Sequence, residues 1–212
     1  MKKQHILLFI SVLLSIAQFA AGCTSSGSPG ADSSAPGSST AESYAPETPA
    51  GEERPLAGNR LIADFSTTDL SGAAVDQSLF AGYDVIMLNF WCTVCGPCIE
   101  EMPYLGEVAA EYAEKNVLVV GVVTDLLDAN GNVDATVLED GKHIVETTGA
   151  NYTHLVPCDG LMPLMQQIYA VPTTVFINTE GYQLGGAQIG SLDKDGWCSL
   201  LDDLLERLGD AA

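Results

Sequence analysis

Three cysteines recur at intervals of three in the run Trp91-Cys92-Thr93-Val94-Cys95-Gly96-Pro97-Cys98. Before it stands a nearly continuous apolar stretch, Val85 to Trp91. After it, from Gly96 to Lys115, apolar residues fall at Met102, Leu105, Val108, Ala109 and Tyr112. The first pattern predicts a strand buried on both faces and the second an amphipathic helix, so the cysteines sit where strand passes into helix. A cysteine at a helix amino terminus meets unpaired backbone N–H groups and the positive end of the helix dipole, and both favour thiolate over thiol. Cys95 therefore reads as the nucleophile that attacks a disulfide. Cys98, one helical turn on, reads as the thiol that displaces the mixed disulfide. Cys92, Cys95 and Cys98 also spell the opening of an iron–sulfur cluster pattern, a different function class, but the fourth ligand position is held by Met102.

The W-C-x-x-C pattern with Gly96 and Pro97 between the cysteines resembles the thioredoxin active site. Further along, Ala170-Val171-Pro172-Thr173-Thr174-Val175-Phe176-Ile177 resembles the segment that carries a cis-proline facing the active-site sulfurs in that superfamily. The resemblance implies that Pro172 is cis and that the Val171 backbone pairs with an extended substrate segment. Two details point to the membrane-anchored, TlpA- and ResA-like branch. Asn89 stands where thioredoxins carry a buried Asp two residues before the motif's Trp91. Cys98-Ile99-Glu100-Glu101-Met102-Pro103 resembles the branch's C-x-x-E-x-P, in which the acid lies near the thiols. The implied fold is α/β and thioredoxin-like: a mixed sheet with helices on both faces and an αβ insertion before the cis-proline region. The resemblance covers about Leu61 to Leu208.

Helical geometry bears on the acid independently. At about 100° per residue, Glu100, Glu107, Glu111 and Glu114 share one side, while Glu101 falls beside Leu105, Val108 and Tyr112 on the apolar side. Glu101 is expected to be turned inward with a raised pKa; the competing reading is that Pro103 kinks the helix and releases it to solvent. Cys92 is expected to be a small buried side chain, with disulfide exchange with Cys95 as the sharper alternative. Cys158 and Cys198 are expected to be buried separately rather than bonded to each other. His5, His143 and His154 read as structurally ordinary, and no metal or organic cofactor is called for.

The elements that must position these residues follow from local patterns. Val117 to Val123 predicts a second strand, completing a right-handed βαβ unit. A helix from Asp134 to Thr148, broken or frayed at Gly141, a short strand from Thr153 to Pro157 and a helix from Leu161 to Tyr169 follow. Thr173 to Asn178 and Tyr182 to Ile189 then flank a Thr179-Glu180-Gly181 turn, and a last helix runs from Asp193 to Leu208.

The chain opens with Met1-Lys2-Lys3 and an apolar run from Ile6 to Ala20, too short for a comfortable membrane span, and closes in Ala20-Ala21-Gly22-Cys23. This resembles a bacterial lipoprotein signal, which implies cleavage after residue 22 and a lipid on Cys23; the plainer reading is an ordinary signal peptide. Residues 23–59, rich in Ser, Gly, Ala, Pro, Thr and Glu, are expected to be a flexible tether, and residues 60–212 the thioredoxin-like domain. The formal charge is -20 over the whole chain. Loss of residues 1–22 removes Lys2 and Lys3 and no acid, leaving -22. So acidic a chain repels nucleic acid and anionic headgroups, so membrane residence depends on the lipid. The expected location is outside the cytoplasm, on the bacterial cell membrane. The expected partners are disulfide-containing exported proteins and an integral-membrane thiol donor. An oxidant, a thiol peroxidase of the same fold and a non-catalytic binding lipoprotein are the alternatives; the peroxidase's Pro-x-x-x-Thr-x-x-Cys pattern is absent.

Overall fold

β4, Val85–Trp91, is buried at every position, as its unbroken apolar run requires of a strand covered on both faces. It lies inside a seven-stranded sheet of a computed structural model that describes residues 57–210. On one side it pairs in parallel with β5, Val117–Val123, which pairs in parallel with β6, Thr153–Leu155. On the other it pairs antiparallel with β7, Thr173–Ile177. Beyond β7 lie β8, Tyr182–Leu184, and β1, Ala57–Arg60, both antiparallel to their neighbours. The short β9, Gln188–Ile189, also pairs with β7. A separate two-stranded ribbon joins β2, Ser66–Thr68, to β3, Ala74–Asp76.

Alternation along β4 divides the core. Ile86, Leu88 and Phe90 face a cluster with Phe65, Phe80, Leu161 and Leu164, covered by the chain around residues 61–80 and by α3, Met162–Met165. Val85 and Met87 face the other side, where α1, Gly96–Tyr112, and α4, Lys194–Asp210, pack Leu105, Val108, Trp197 and Leu201 onto the sheet. On this second side Trp91 lies with Cys98 and Met102, and α2, Ala135–Thr148, packs Val137, Leu138, Ile144 and Val145 around them. α2 and β6 are the expected αβ insertion, adding a strand to the sheet edge beside β5. The architecture is the thioredoxin-like α/β fold, a mixed sheet with flanking helices.

Four local expectations need correction. The helix expected over residues 161–169 is one turn long, because the chain must leave helical geometry to deliver Val171 ahead of Pro172. The strand expected over residues 182–189 is split into β8 and β9 at Gly185-Gly186, where Gly185 adopts φ +68°. α2 is not broken at Gly141; the glycine is its buried position, facing Leu70 and Trp91. β1 begins at Ala57, inside the stretch expected as tether. The signal segment, Cys23 and the tether up to residue 56 lie outside the described residues. Among the described residues no helix is long and apolar enough to cross a membrane.

The turn at Gly181 fastens β1 to the sheet. Its φ is +85°, its carbonyl accepts the N–H of Leu61 at 2.8 Å, and a Cβ there would overlap the carbonyl oxygen of Ile62. Gly181→Ala should therefore cost about 2–4 kcal/mol, from left-handed backbone and steric overlap together. Gly186→Ala, which meets nothing within 4 Å, should stay within about 1 kcal/mol of wild type. Urea unfolding of the two variants checks the contrast; equal losses would remove the role given to Gly181.

Candidate functional site

The end of β4 delivers the chain into α1 through Trp91 to Cys95. Cys95 is the N-cap of α1, with extended backbone, and its sulfur accepts the N–H of Cys98 at 3.2 Å. The sulfur thus takes one of the donors that a helix start leaves unpaired. Gly96 and Pro97 fill the first two helical positions, where proline's missing N–H is no loss. Cys95 and Cys98 are joined as a disulfide. Cys95 is partly exposed and Cys98 buried, so the pair presents one sulfur outward. The Val171–Pro172 bond is cis, and the Val171 carbonyl oxygen lies 3.7 Å from Cys95 Sγ. Beside this contact Val94 is 87% and Tyr169 82% exposed, which leaves apolar surface open around the outward sulfur.

Glu101 is 1% exposed, on the sheet-facing side of α1 despite Pro103 in the same helix. Asn89 Nδ2 donates to Glu101 Oε1 at 3.0 Å and to Thr174 Oγ1 at 3.1 Å, and the Leu192 N–H donates to Oε2 at 3.2 Å. The indole N–H of Trp197 is buried without a partner at hydrogen-bond geometry but still acts in favour of the carboxylate. Burial outweighs these donors and pushes the Glu101 carboxyl up to about 7. The Tyr152 hydroxyl is also buried without a partner, and its pKa is raised by burial first and by the charge of Glu101 second.

Cys92 is half-buried rather than buried. Burial pushes its thiol up and Asp125 adds to the effect, while the N–H groups of Val94 and Cys95 oppose it. Asp125 Oδ2 accepts both the N–H and the hydroxyl of Thr93, at 2.9 and 2.7 Å, and so pins the loop ahead of Cys95. Cys158 and Cys198 are both free and half-buried. They pack against the clusters on opposite sides of the sheet and cannot meet without unfolding. Trp91 is fully buried behind Cys98, and its indole donates to His154 Nδ1 at 3.2 Å.

The structure thus brings together Trp91, Cys95, Gly96, Pro97, Cys98, Glu101, Val171 and Pro172. It adds Thr174, Leu192, Trp197 and His154, which spacing along the chain could not connect to the motif. A hint lay in Asn89: an amide in an apolar strand needs a partner, and that partner is Glu101.

The neutral state of Glu101 has a thermodynamic signature. The folded chain holds this proton up to about pH 7, whereas an unfolded Glu loses it near 4.5. Between these values the folded state binds more protons, so stability falls as pH rises, by about 3 kcal/mol in all, and levels off above the folded pKa. Glu101→Gln should remove that slope. Urea unfolding of the oxidised protein at pH 5 and pH 8 should show the variant's relative stability rising by about 2–3 kcal/mol. An equal difference at both pH values would mean that native Glu101 is ionised throughout.

The redoxin family profile matches residues 56–183. Over 124 residues the chain is 37% identical to the thiol-disulfide oxidoreductase ResA of Oceanobacillus iheyensis, a match covering 56% of this chain and 58% of that protein. It is 26% identical over 159 residues to the thiol:disulfide interchange protein DsbE of Vibrio cholerae, covering 70% of this chain and 74% of the relative. Among solved structures, a thiol:disulfide interchange protein of the thioredoxin family from Chlorobium tepidum superposes with a TM-score of 0.53 at 20% identity. That superposition covers 70% of this chain and 98% of the other, and shows the shared fold. The match to the Oceanobacillus protein thus spans little more than half the length of either chain. With a matching profile over most of the domain, and the cysteine pair and cis-proline in place, this chain belongs to the redoxin family.

Proposed function

We propose that the chain is a thiol-disulfide oxidoreductase acting outside the cytoplasm on exported proteins, and that it works as a reductase. The observation that carries this reading is the placement of one sulfur. Cys95 Sγ caps α1, is partly exposed, is bonded to the buried Cys98 and faces Val171 ahead of a cis-proline. In the reduced protein the Cys95 thiolate attacks a substrate disulfide, forming a mixed disulfide and expelling one substrate thiolate. Cys98 then loses its proton and attacks Cys95 Sγ, expelling the second. Two electrons pass from the dithiol to the substrate, and the protein returns to the disulfide. Glu101, one turn beyond Cys98 and titrating near 7, is the group suited to hold or release the proton that Cys98 exchanges. Its titration and that of the thiols belong to the group as a whole.

The names of the ResA and DsbE relatives support disulfide exchange. Gly96 and Pro97, shared with thioredoxin, support the reducing direction, with electrons arriving from an integral-membrane thiol donor. A lipid on Cys23 would hold the domain at the membrane. The cluster alternative is not favoured, because Met102, in the fourth ligand position, is packed into the core beside Trp91.

Cys98→Ser should trap partner proteins as mixed disulfides on Cys95, seen as adducts on nonreducing gels, since attack remains and displacement does not. Adducts that persist in the Cys95→Ser, Cys98→Ser double variant would overturn the assignment of roles. Direction is decided by the midpoint potential. A value near the thioredoxin level of about -270 mV supports a reductase, whereas one near about -120 mV makes the protein an oxidant.

A further inference from the structure

Three adjacent strands meet around one imidazole. Trp91 ends β4, Gly121 lies in β5 and His154 in β6, with Gly121 the register partner of Asn89 on one side and of His154 on the other. His154 is 3% exposed. Its Nε2 lies 3.0 Å from the carbonyl oxygen of Ala150, and its Nδ1 accepts the indole N–H of Trp91 at 3.2 Å. A carbonyl oxygen only accepts, so Nε2 carries the proton and Nδ1 offers its lone pair to the indole. The neutral ring thereby satisfies both nitrogens. A second proton would set two donors against each other, and burial holds the imidazole down at about 4. The rings meet edge to face with centroids 5.5 Å apart, and the Tyr152 ring packs against the imidazole, tilted, at 4.3 Å.

Gly121 makes this bond possible. A Cβ there would overlap His154 Nδ1 and lie 3.0 Å from Trp91 Nε1, against the flank of the bond, so the imidazole would have to move. The other end of Trp91 is also held: its carbonyl accepts the N–H of Thr124 at 2.8 Å and the Thr124 hydroxyl at 3.1 Å. The fixed indole packs in the same cluster as Cys98, and the next residue, Cys92, opens the loop to Cys95 through a 3.1 Å bond from the Cys95 N–H to the Cys92 carbonyl.

We propose that His154 is a positioning residue for the redox pair: its neutral imidazole fixes the Trp91 indole, and through that ring the seat of Cys98 and the loop carrying Cys95. The proposal rests on disulfide exchange by this pair. Cys98 Sγ is bonded to Cys95 in one redox state and free in the other, so a wall that fixes the sulfur's position affects the two states unequally. A histidine that merely fills the core would alter stability alone.

The test uses the full chain at pH 7 and reads two quantities: the equilibrium constant of the Cys95–Cys98 pair with glutathione, and the rate at which the reduced protein reduces a disulfide-bonded peptide. His154→Phe removes the acceptor, His154→Asn keeps an acceptor at the place of Nδ1, and Gly121→Ala keeps both side chains but pushes the imidazole off the indole. The expected result is a shift of at least about threefold in the equilibrium constant for the Phe and Ala variants, in the same direction, with exchange slowed severalfold. The Asn variant should remain within about twofold of wild type. A folded His154→Phe with wild-type equilibrium constant and rate would overturn the proposal, whatever its loss of stability. Should the Phe variant not fold, His154→Gln, whose amide lies at the Nε2 position and leaves the indole unpaired, replaces it against His154→Asn, and equal values for the two would overturn it. Failure of the wild-type pair to exchange with glutathione would instead sink the oxidoreductase reading and leave the Trp91–His154 bond as a structural contact.

Discussion

The sulfur of Cys95 closes the amino terminus of α1 by accepting the N–H of Cys98, and the rest of the site is built around that bond. A helix start leaves N–H groups unpaired and carries the positive end of its dipole, so a sulfur held there is stabilised as thiolate when the disulfide opens. The bond exists only if the strand before it ends at the right place and direction. β4 meets that demand because it is locked on both sides, over seven register partners with β5 and five with β7. Its pairing with β7 also brings Thr173, the residue after Pro172, opposite Phe90, which sets the cis-proline beside the helix start.

That arrangement forces polar groups into the interior, where each needs a partner. Asn89 lies on the side of β4 facing α1, between Met87 and Trp91, and its amide serves Glu101 and Thr174 together. Asparagine on the strand and glutamate on the helix are complementary: with an amide at position 89 donating, the acid can sit on the element that carries Cys98. Had both positions been acidic, two carboxyl groups would share one buried site and one would be held protonated by the other. With a single acid, burial and three nearby donors oppose each other and leave it near 7.

β4, β5, α1 and α4 are legible in the sequence because their signals are long and periodic, and the cysteine pair because its chemistry is fixed by spacing at a strand-to-helix junction. α3 and the β8–β9 break are less legible, since there the demands of tertiary structure override local pattern. The chain from Leu161 has helical spacing but must extend before Pro172, and the run from Tyr182 has strand composition but is parted by two glycines. The inward turn of Glu101 follows from helical phase, yet its partner Leu192 lies on another part of the chain and leaves no trace near the motif. His154 is the clearest case. As one histidine in a short strand it carries no message, and its engagement depends on a missing side chain at Gly121 across the sheet.

The acidity of the chain sets a further condition on the chemistry. With a formal charge of -20, the protein's own field opposes every new anion, including the thiolate at Cys95. Charges beyond a Debye length of about 8–10 Å are screened, so groups in direct contact with the sulfur outweigh the distant surface acids. Those in contact favour the anion: the Cys98 N–H and the start of α1. The nearby acid on the same helix is neutral below about pH 7 and adds no opposing charge there. On the outer side of α1, Glu107 and Glu111 share the ammonium of Lys194 from α4, although so exposed a pair of contacts contributes little to stability. An acidic surface and a stabilised thiolate are therefore compatible because one acts at a distance, through salt and water, and the other acts through bonds to the sulfur itself.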